Sequence, residues 1–127
     1  MAIEPSLDRP VLNVLAVEDD PSVAQTVSLV LRGTSCQVAT AASAEEALDT
    51  INRSAARFDV LITDNHMPVV RGGELVRQLR AANFQGRIVV LSAFVSPEQE
   101  QEYRELGVNE ILSKPFAIAD LRRAVGL

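Results

Sequence analysis

The chain has 127 residues, of which 47% are hydrophobic and 23% charged, a length and composition that suit one domain with its own core. The net charge of -5 and the lack of a basic stripe argue against nucleic-acid binding by this domain. No apolar run approaches the roughly 20 residues that span a bilayer, and residues 1–10 lack the basic and apolar regions of a secretory signal. We therefore expect no membrane segment.

The first part of the chain predicts a strand, a helix and a second strand. The run VLNVLAV at residues 11–17 is apolar and rich in β-branched residues, which is typical of a buried strand. Asp20 and the proline after it supply an N-cap and a first helical residue, and Gly33 ends the helix. The run CQVATA at 36–41 predicts the second strand. We expect its Cys36, the single cysteine, to be a small core residue in a reducing cytoplasm.

The middle of the chain predicts a second helix, a third strand and a third helix. Ser43 and Glu46 have the spacing of a capping box at the start of the second helix. The run FDVLIT at 58–63 predicts a strand that is followed directly by Asp64. A loop with Pro68 and the pair Gly72-Gly73 then leads to the third helix, whose predicted core residues are Leu75, Val76 and Leu79.

The last part of the chain predicts two more strand and helix units. The run RIVVLSA at 87–93 predicts the fourth strand, and Ser96 with Gln99 predicts the capped start of a helix that ends at Gly107. The run EILS at 110–113 predicts the fifth strand. The final helix has three apolar residues that we expect to face inward: Ile118, Leu121 and Val125.

Five successive strand and helix units predict an α/β fold. Helix-length connections between apolar strands indicate a parallel sheet that is covered on both faces. Right-handed crossovers then give a doubly wound, five-stranded parallel sheet with five helices. We expect residues 11–127 to form this single domain and residues 1–10 to form a flexible N-terminal tail.

Polar residues lie at the carboxyl ends of four of the predicted strands, at the edge where ligand sites of doubly wound sheets form. Glu18 and Asp19 lie at the end of the first strand, Asp64 of the third, Ser92 of the fourth, and Lys114 of the fifth. Neighbouring carboxylates repel one another unless a cation lies among them, and a set of oxygen ligands suits Mg²⁺. A lysine and a hydroxyl nearby suit a phosphoryl group, so the aspartate of the third strand is predicted to be a nucleophile that forms an aspartyl-phosphate.

Four short motifs on these strand ends resemble a known family. The motifs VEDD, LITDNHMP, VVLSA and SKPF occur in the order and spacing of the receiver domain of bacterial two-component response regulators, and the resemblance covers residues 11–127. It implies a flavodoxin-like sheet with strand order 2-1-3-4-5. It also implies a cytoplasmic signalling switch rather than a turnover enzyme, phosphorylated on Asp64 by a histidine kinase or a histidine phosphotransfer protein.

The same resemblance assigns roles around the phosphoacceptor, which would itself be a Mg²⁺ ligand. Asp19 would bind Mg²⁺ directly, Glu18 mostly through water, and the backbone carbonyl of His66 would complete the protein ligands. Ser92 would contact the phosphoryl group and report its presence. Lys114, the only lysine in the chain, would pair with the phosphorylated carboxylate, and the peptide bond after it is often cis in this family.

Three further positions bear on the lifetime and output of the phosphorylated state. By resemblance, His66 and Phe94 border the path of the attacking water and would tune the rate of dephosphorylation. Ile111 stands where many receivers have a Tyr or Phe that swings inward, and a β-branched aliphatic side chain has few rotamers and no ring. We expect output to depend on residues 93–107, with Phe94 or Tyr103 as the substitute. The fourth helix, fifth strand and fifth helix would form a face that can mediate dimerisation.

Two other functions fit parts of the pattern. A haloacid-dehalogenase-like phosphatase also uses a strand-end aspartate with Mg²⁺, but it has a second aspartate two positions on, where this chain has His66. A degenerate receiver that works without phosphorylation is the other, and the full acidic set argues against it. The cognate kinase and the output stay open, as does the choice between a single-domain regulator and a piece of a longer protein.

Overall fold

A computed structural model describes residues 11–53, 58–65 and 72–127 of the chain. Within these residues, five strands alternate with five helices. The strands are β1 (Leu12–Val17), β2 (Cys36–Ala41), β3 (Val60–Asp64), β4 (Arg87–Ser92) and β5 (Glu110–Ser113). The helices are α1 (Pro21–Leu31), α2 (Ala44–Arg53), α3 (Gly72–Ala81), α4 (Pro97–Glu105) and α5 (Ile118–Ala124). None of the described helices has the length and apolar character needed to cross a membrane.

The five strands form one parallel sheet in the order β2-β1-β3-β4-β5. This order confirms the predicted doubly wound, flavodoxin-like fold. The register pairs Asp64 of β3 with Leu91 of β4, and Ser92 of β4 with Ser113 of β5. The carboxyl ends of the central strands therefore lie side by side at one edge of the sheet.

The sheet separates two hydrophobic cores. Alternate residues of β1 enter opposite cores, because successive side chains of a strand point to opposite faces: Val14 and Ala16 on one face, Leu15 and Val17 on the other. Helices α1 and α5 cover the first core, whereas α2, α3 and α4 cover the second. Burial on both faces explains why the central strands are apolar at nearly every position.

The predicted helix starts are confirmed at α1 and α4 and half-formed at α2. Asp20 caps α1, because its carboxylate accepts a hydrogen bond from the backbone N–H of Ser22 at 2.9 Å. Helix α4 begins with a complete capping box. At α2, the Ser43 hydroxyl accepts from the Glu46 N–H at 3.1 Å, but the Glu46 carboxylate accepts from Ala42 rather than from Ser43. The carboxylate therefore satisfies a donor one residue before the helix cap.

Four details of the sequence prediction are wrong. Gly72 and Gly73, expected in a loop, are the first two residues of α3. Strand β3 begins at residue 60 rather than 58, and the Asp59 carboxylate just before it accepts a hydrogen bond from the Asn13 N–H at 2.8 Å. Ile118 is 55% exposed instead of facing inward. It is the first residue of α5, so its side chain extends over the preceding loop rather than over a helical turn. Cys36 is half-buried beside the first core rather than within it.

The other predicted core positions of the last helix are confirmed, since Leu121 and Val125 are buried. The same is true of the core residues predicted for α3: Leu75, Val76 and Leu79. The predicted tail at residues 1–10 and the loop residue Pro68 lie outside the described residues.

Candidate functional site

The polar residues predicted to form a site lie together at the carboxyl edge of the sheet. Backbone hydrogen bonds extend the strand pairing by one residue and hold the chain there: Glu18 N–H donates to Ala41 O at 2.9 Å, and Lys114 N–H donates to Ser92 O at 2.8 Å. Asp64 is itself the last residue of β3. The site residues are therefore positioned by the ends of rigid strands rather than by long loops.

Three carboxylates form an acidic cluster at this edge. Glu18, Asp19 and Asp64 each offer an oxygen within 4.8 Å of the others. Glu18 and Asp64 are buried, whereas Asp19 is exposed. A cavity of about 380 Å³ opens beside Glu18 and Asp19. Carboxylates at this spacing repel one another, so the cluster favours a bound cation.

The one lysine of the chain lies against this cluster. Lys114 Nζ is 3.0 Å from Asp64 Oδ2 and 3.5 Å from Glu18 Oε2. Burial lowers the pKa of the Lys114 ammonium, but the hydrogen bond and charge of Asp64 and the charge of Glu18 outweigh it and raise that pKa. The ammonium is therefore held in its charged form next to the phosphoacceptor candidate.

Glu18 has a buried oxygen that lies in an ion pair with Lys114 but has no hydrogen bond among the described residues. Its Oε1 accepts from the Asp20 N–H at 3.2 Å, but its buried Oε2 accepts no hydrogen bond from any described residue. Burial, and secondly the charge of Asp64, raise the pKa of Glu18 to about 7, although the Asp20 hydrogen bond and Lys114 act in the opposite direction. A cation near this oxygen would favour the ionised form. The oxygen donors fit a hard ion such as Mg²⁺, held by Glu18, Asp19 and Asp64.

Ser92 is buried at the end of β4 and is engaged with the loop that follows. Its hydroxyl donates to the backbone carbonyl of Phe94 at 2.6 Å and accepts from the Phe94 N–H at 3.0 Å. The two hydrogen bonds fix the turn after β4. Any movement of this hydroxyl toward a ligand at Asp64 would remove a donor from the Phe94 carbonyl.

Asn65 is a site residue that the sequence interpretation missed. It directly follows Asp64 and is buried. Its side-chain amide donates to the Phe94 carbonyl at 3.4 Å, and its side-chain oxygen accepts a hydrogen bond from the Tyr103 hydroxyl. A polar amide between a buried strand and a loop needs such partners, because burial without them is costly. Its position immediately after the acidic strand end was the available signal.

The remaining predicted positions are distributed around this centre. Phe94 is 74% exposed, and Ile111 is half-buried in β5. Both line a cavity of about 350 Å³ together with Ser92. The peptide bond after Lys114 is cis, as the resemblance implies. His66, predicted to supply a carbonyl ligand and to tune dephosphorylation, lies outside the described residues.

The fold and the acidic edge are those of a response regulator receiver. The family model described as response regulator receiver domain matches residues 14–126. The chain therefore belongs to the response regulator receiver domain family, which is consistent with a role in two-component signalling. Members of this family are signalling switches rather than turnover enzymes, so the family match favours the receiver over the phosphatase.

Curated relatives share this domain within longer proteins. The chain is 34% identical over 104 residues to the response regulator receiver protein Anae109_2439 of Anaeromyxobacter, which covers 82% of this chain and 43% of that protein. It is 30% identical over 105 residues to the cell cycle response regulator CtrA of Brucella ovis, and the match covers 83% of this chain and 44% of that protein. The chain thus spans less than half the length of these relatives.

Solved structures of receivers have the same fold. The chemotaxis protein CheY4 of Vibrio cholerae superposes with a TM-score of 0.82 at 38% identity, covering 89% of this chain and 94% of that one. A response regulator receiver protein from Pseudomonas putida superposes with a TM-score of 0.83 at 28% identity, covering 92% and 97%. The similarity extends over nearly the whole sheet and its helices.

Proposed function

We propose that this domain is a phosphoacceptor switch of a two-component phosphorelay. It receives a phosphoryl group on Asp64 from a histidine kinase or a histidine phosphotransfer protein, in a Mg²⁺-dependent reaction, and then changes its partner binding. The observation that carries this proposal is the Lys114 ammonium, 3.0 Å from Asp64 Oδ2 within a cluster of three carboxylates.

The proposed reaction transfers a phosphoryl group from a donor, phosphohistidine or acetyl phosphate, to the Asp64 carboxylate. An oxygen of the Asp64 carboxylate attacks the phosphorus and forms the P–O bond of an aspartyl-phosphate. The bond between phosphorus and the donor breaks, and its electron pair leaves with the imidazole nitrogen of phosphohistidine or with the acetate oxygen of acetyl phosphate. The imidazole takes its proton from solvent. The protein mainly positions the groups and offsets their charge.

Each residue of the site has a defined part in this reaction. Lys114 pairs with the phosphorylated carboxylate, and Ser92 donates its hydroxyl to the phosphoryl group. Asp19, Asp64 and, mostly through water, Glu18 would hold Mg²⁺ with the backbone carbonyl of His66. When bound, Mg²⁺ supplies positive charge that stabilises the transferring phosphoryl group.

The lifetime of the aspartyl-phosphate is proposed to depend on His66 and Phe94. The exposure of the Phe94 ring beside Ser92 supports this role, because the ring can limit the approach of water. Substitution of both residues should change the rate of dephosphorylation measured by loss of label. An unchanged rate in Phe94→Ala and in the double variant with His66→Ala would remove them from this role.

The wider setting of the domain is also a proposal. Residues 11–127 are proposed to form the receiver domain of a cytoplasmic regulator, with the face of α4, β5 and α5 available for dimerisation. The net charge of -5 supports partners other than nucleic acid for this domain. The identity of the output domain or output protein depends on the full-length regulator.

The test is phosphorylation by a small donor. The protein is treated with acetyl phosphate and Mg²⁺, and the modified residue is located by mass spectrometry. Label is expected in the wild type and in Asp20→Asn, which keeps the α1 cap because Asn and Asp cap equally well. Label that persists in Asp64→Asn would overturn the assignment. Repeated hydrolysis of an added phosphomonoester would instead identify a phosphatase.

A further inference from the structure

Tyr103 of α4 is a buried polar side chain whose hydroxyl has one hydrogen-bond partner among the residues that the structure describes. It is the only tyrosine of the chain and is 2% exposed. Its ring belongs to the second core, and its hydroxyl donates to the side-chain oxygen of Asn65. A buried phenol needs such a partner, because its hydroxyl would otherwise be left without a hydrogen bond. The partner chosen here is the residue next to Asp64.

Asn65 extends this contact to the loop after β4. Its amide nitrogen donates to the Phe94 carbonyl at 3.4 Å, and the same carbonyl accepts the Ser92 hydroxyl at 2.6 Å. Its backbone N–H donates to Leu91 O at 2.9 Å, which fixes its backbone to β4. Hydrogen bonds therefore run without a gap from Ser92 through Phe94 and Asn65 to Tyr103.

The direction of the hydrogen bonds to Phe94 is defined by its carbonyl oxygen, which can only accept. Burial, the charge of Glu102 and the charge of Asp64 raise the pKa of Tyr103 to about 12. The NH₂ group of Asn65 is therefore directed to the Phe94 carbonyl, which leaves the Asn65 oxygen to accept from the protonated Tyr103 hydroxyl.

The start of α3 lies close to the same tyrosine. A Cβ atom placed on Gly73 would lie 3.9 Å from Cε1 of Tyr103 and only 2.6 Å from Oε1 of Glu102. Glycine at this position leaves room for the Glu102 carboxylate, and the Tyr103 ring lies at ordinary van der Waals distance. Because the ring is buried in the second core, we expect a change at its hydroxyl to be accommodated by movement of α4.

We propose that Tyr103 is the positioning residue through which α4 responds to the state of Asp64, an inference that rests on the proposed function. When the Ser92 hydroxyl turns toward a phosphoryl group, the Phe94 carbonyl loses its closest donor. The Asn65 amide then becomes the donor that this carbonyl retains, and its shift is transmitted to the Tyr103 hydroxyl. In this chain, Tyr103 on α4 thus takes the role that an aromatic residue of β5 has in many receivers. Ile111 stands at that position of β5 and has no ring.

The test removes the hydroxyl and keeps the ring. Wild-type protein and Tyr103→Phe are compared by amide chemical shifts with and without beryllofluoride and Mg²⁺, a mimic of the phosphoryl group. We expect the shifts near Asp64 to be retained in the variant. The ratio of shifted to unshifted α4 conformations should fall about fivefold, the change expected from loss of one hydrogen bond. Thr26→Val, which removes a hydroxyl from α1, is the control and should respond like the wild type.

Asn65→Ala removes the acceptor of the same hydrogen bond, whereas Tyr103→Phe removes its donor. If Tyr103 acts through Asn65, the double variant should lose no more of the α4 response than either single variant does. Additive losses would show that the two residues act independently and would overturn the inference. Tyrosine fluorescence gives a second readout, because the chain has no tryptophan and Tyr103 is its only source.

The outcomes separate this inference from the proposed function. An α4 response in Tyr103→Phe as large as in the wild type overturns the role of Tyr103 and leaves phosphorylation of Asp64 standing. Wild-type tyrosine fluorescence that does not change with beryllofluoride, while the amides near Asp64 do shift, has the same meaning. A wild-type protein in which no amide near Asp64 shifts contradicts both.

Discussion

The ammonium of Lys114 lies 3.0 Å from a carboxylate oxygen of Asp64, although the two residues are 50 positions apart in the chain. The side chains are 26% and 9% exposed, respectively, so water screens the pair only partly. Glu18 Oε2 is the second carboxylate oxygen within reach of the same ammonium, at 3.5 Å. One cation thus offsets two buried acidic groups.

Lys114→Met should lower the free energy of unfolding by about 1–3 kcal/mol at neutral pH, because it leaves buried carboxylates without their cation. The measurement is urea unfolding with and without Mg²⁺, and Mg²⁺ should narrow the deficit by supplying positive charge. Arg123→Met is the control, since its ion pair with Asp120 is exposed and should contribute less than about 1 kcal/mol. A deficit equal to that of the control would show that the pair does not stabilise the fold.

Asp19→Asn should weaken Mg²⁺ binding, because it removes a charged oxygen from the acidic cluster. The same change relieves repulsion, so the melting temperature without Mg²⁺ should stay the same or rise. Titration calorimetry and thermal unfolding measure the two effects. Asp20→Asn is the matched control from the adjacent position, and its Mg²⁺ affinity should match the wild type. An unchanged affinity in Asp19→Asn would exclude this residue from the metal site.

The phenol of Tyr103 should titrate near pH 12 rather than near its ordinary value of 10. Burial comes first among the causes, and the charges of Glu102 and Asp64 add to it. Because the folded-state pKa is raised, this group stabilises the fold fully below pH 10 and loses that contribution between pH 10 and 12. Phenolate absorbance follows this one tyrosine, and circular dichroism reports unfolding. A midpoint near 10 with intact circular dichroism would contradict the burial of this phenol in the folded protein.

Ile111→Tyr should increase the fraction of molecules that change conformation when beryllofluoride binds. The side chain borders a cavity of about 350 Å³ beside Ser92, and a ring there gains a contact that differs between the two states. Amide shifts on α4, β5 and α5 are compared in the wild type, Ile111→Tyr and the ring-free control Ile111→Val. Wild-type shifts that are already saturated, and that the tyrosine does not increase, would show that the missing ring has no cost here.

The fold was predictable because its signals are local. Apolar runs, Asp20 before a proline and the capping box of Ser96 each depend on a few neighbouring residues, and the structure contains all three. The acidic edge was predictable for a related reason, since parallel strands bring their carboxyl ends to one side. Asp64 and Lys114 could be placed together without knowledge of any side-chain contact.

The parts that could not be predicted depend on contacts between distant residues. Asn65 and Tyr103 are 38 positions apart, and nothing local to either of them indicates a hydrogen bond. The exposure of Ile118 could not be predicted either, because helical spacing identifies a common face but not the residue at which the helix begins. The sequence pattern of a helix or strand thus predicts which of its faces is turned toward the core. It predicts less well which residues of that face are buried by neighbouring elements.

The two cores described above have a consequence for how such a domain can diversify. Helices α1 and α5 pack on one face of the sheet, whereas α4 with its tyrosine packs on the other. Substitutions can therefore accumulate in the core under α1 without repacking the core under α4, and the reverse also holds. Natural selection can alter the surface of α1 while the face of α4, β5 and α5 stays constant, so that partners of these two surfaces can change at separate times.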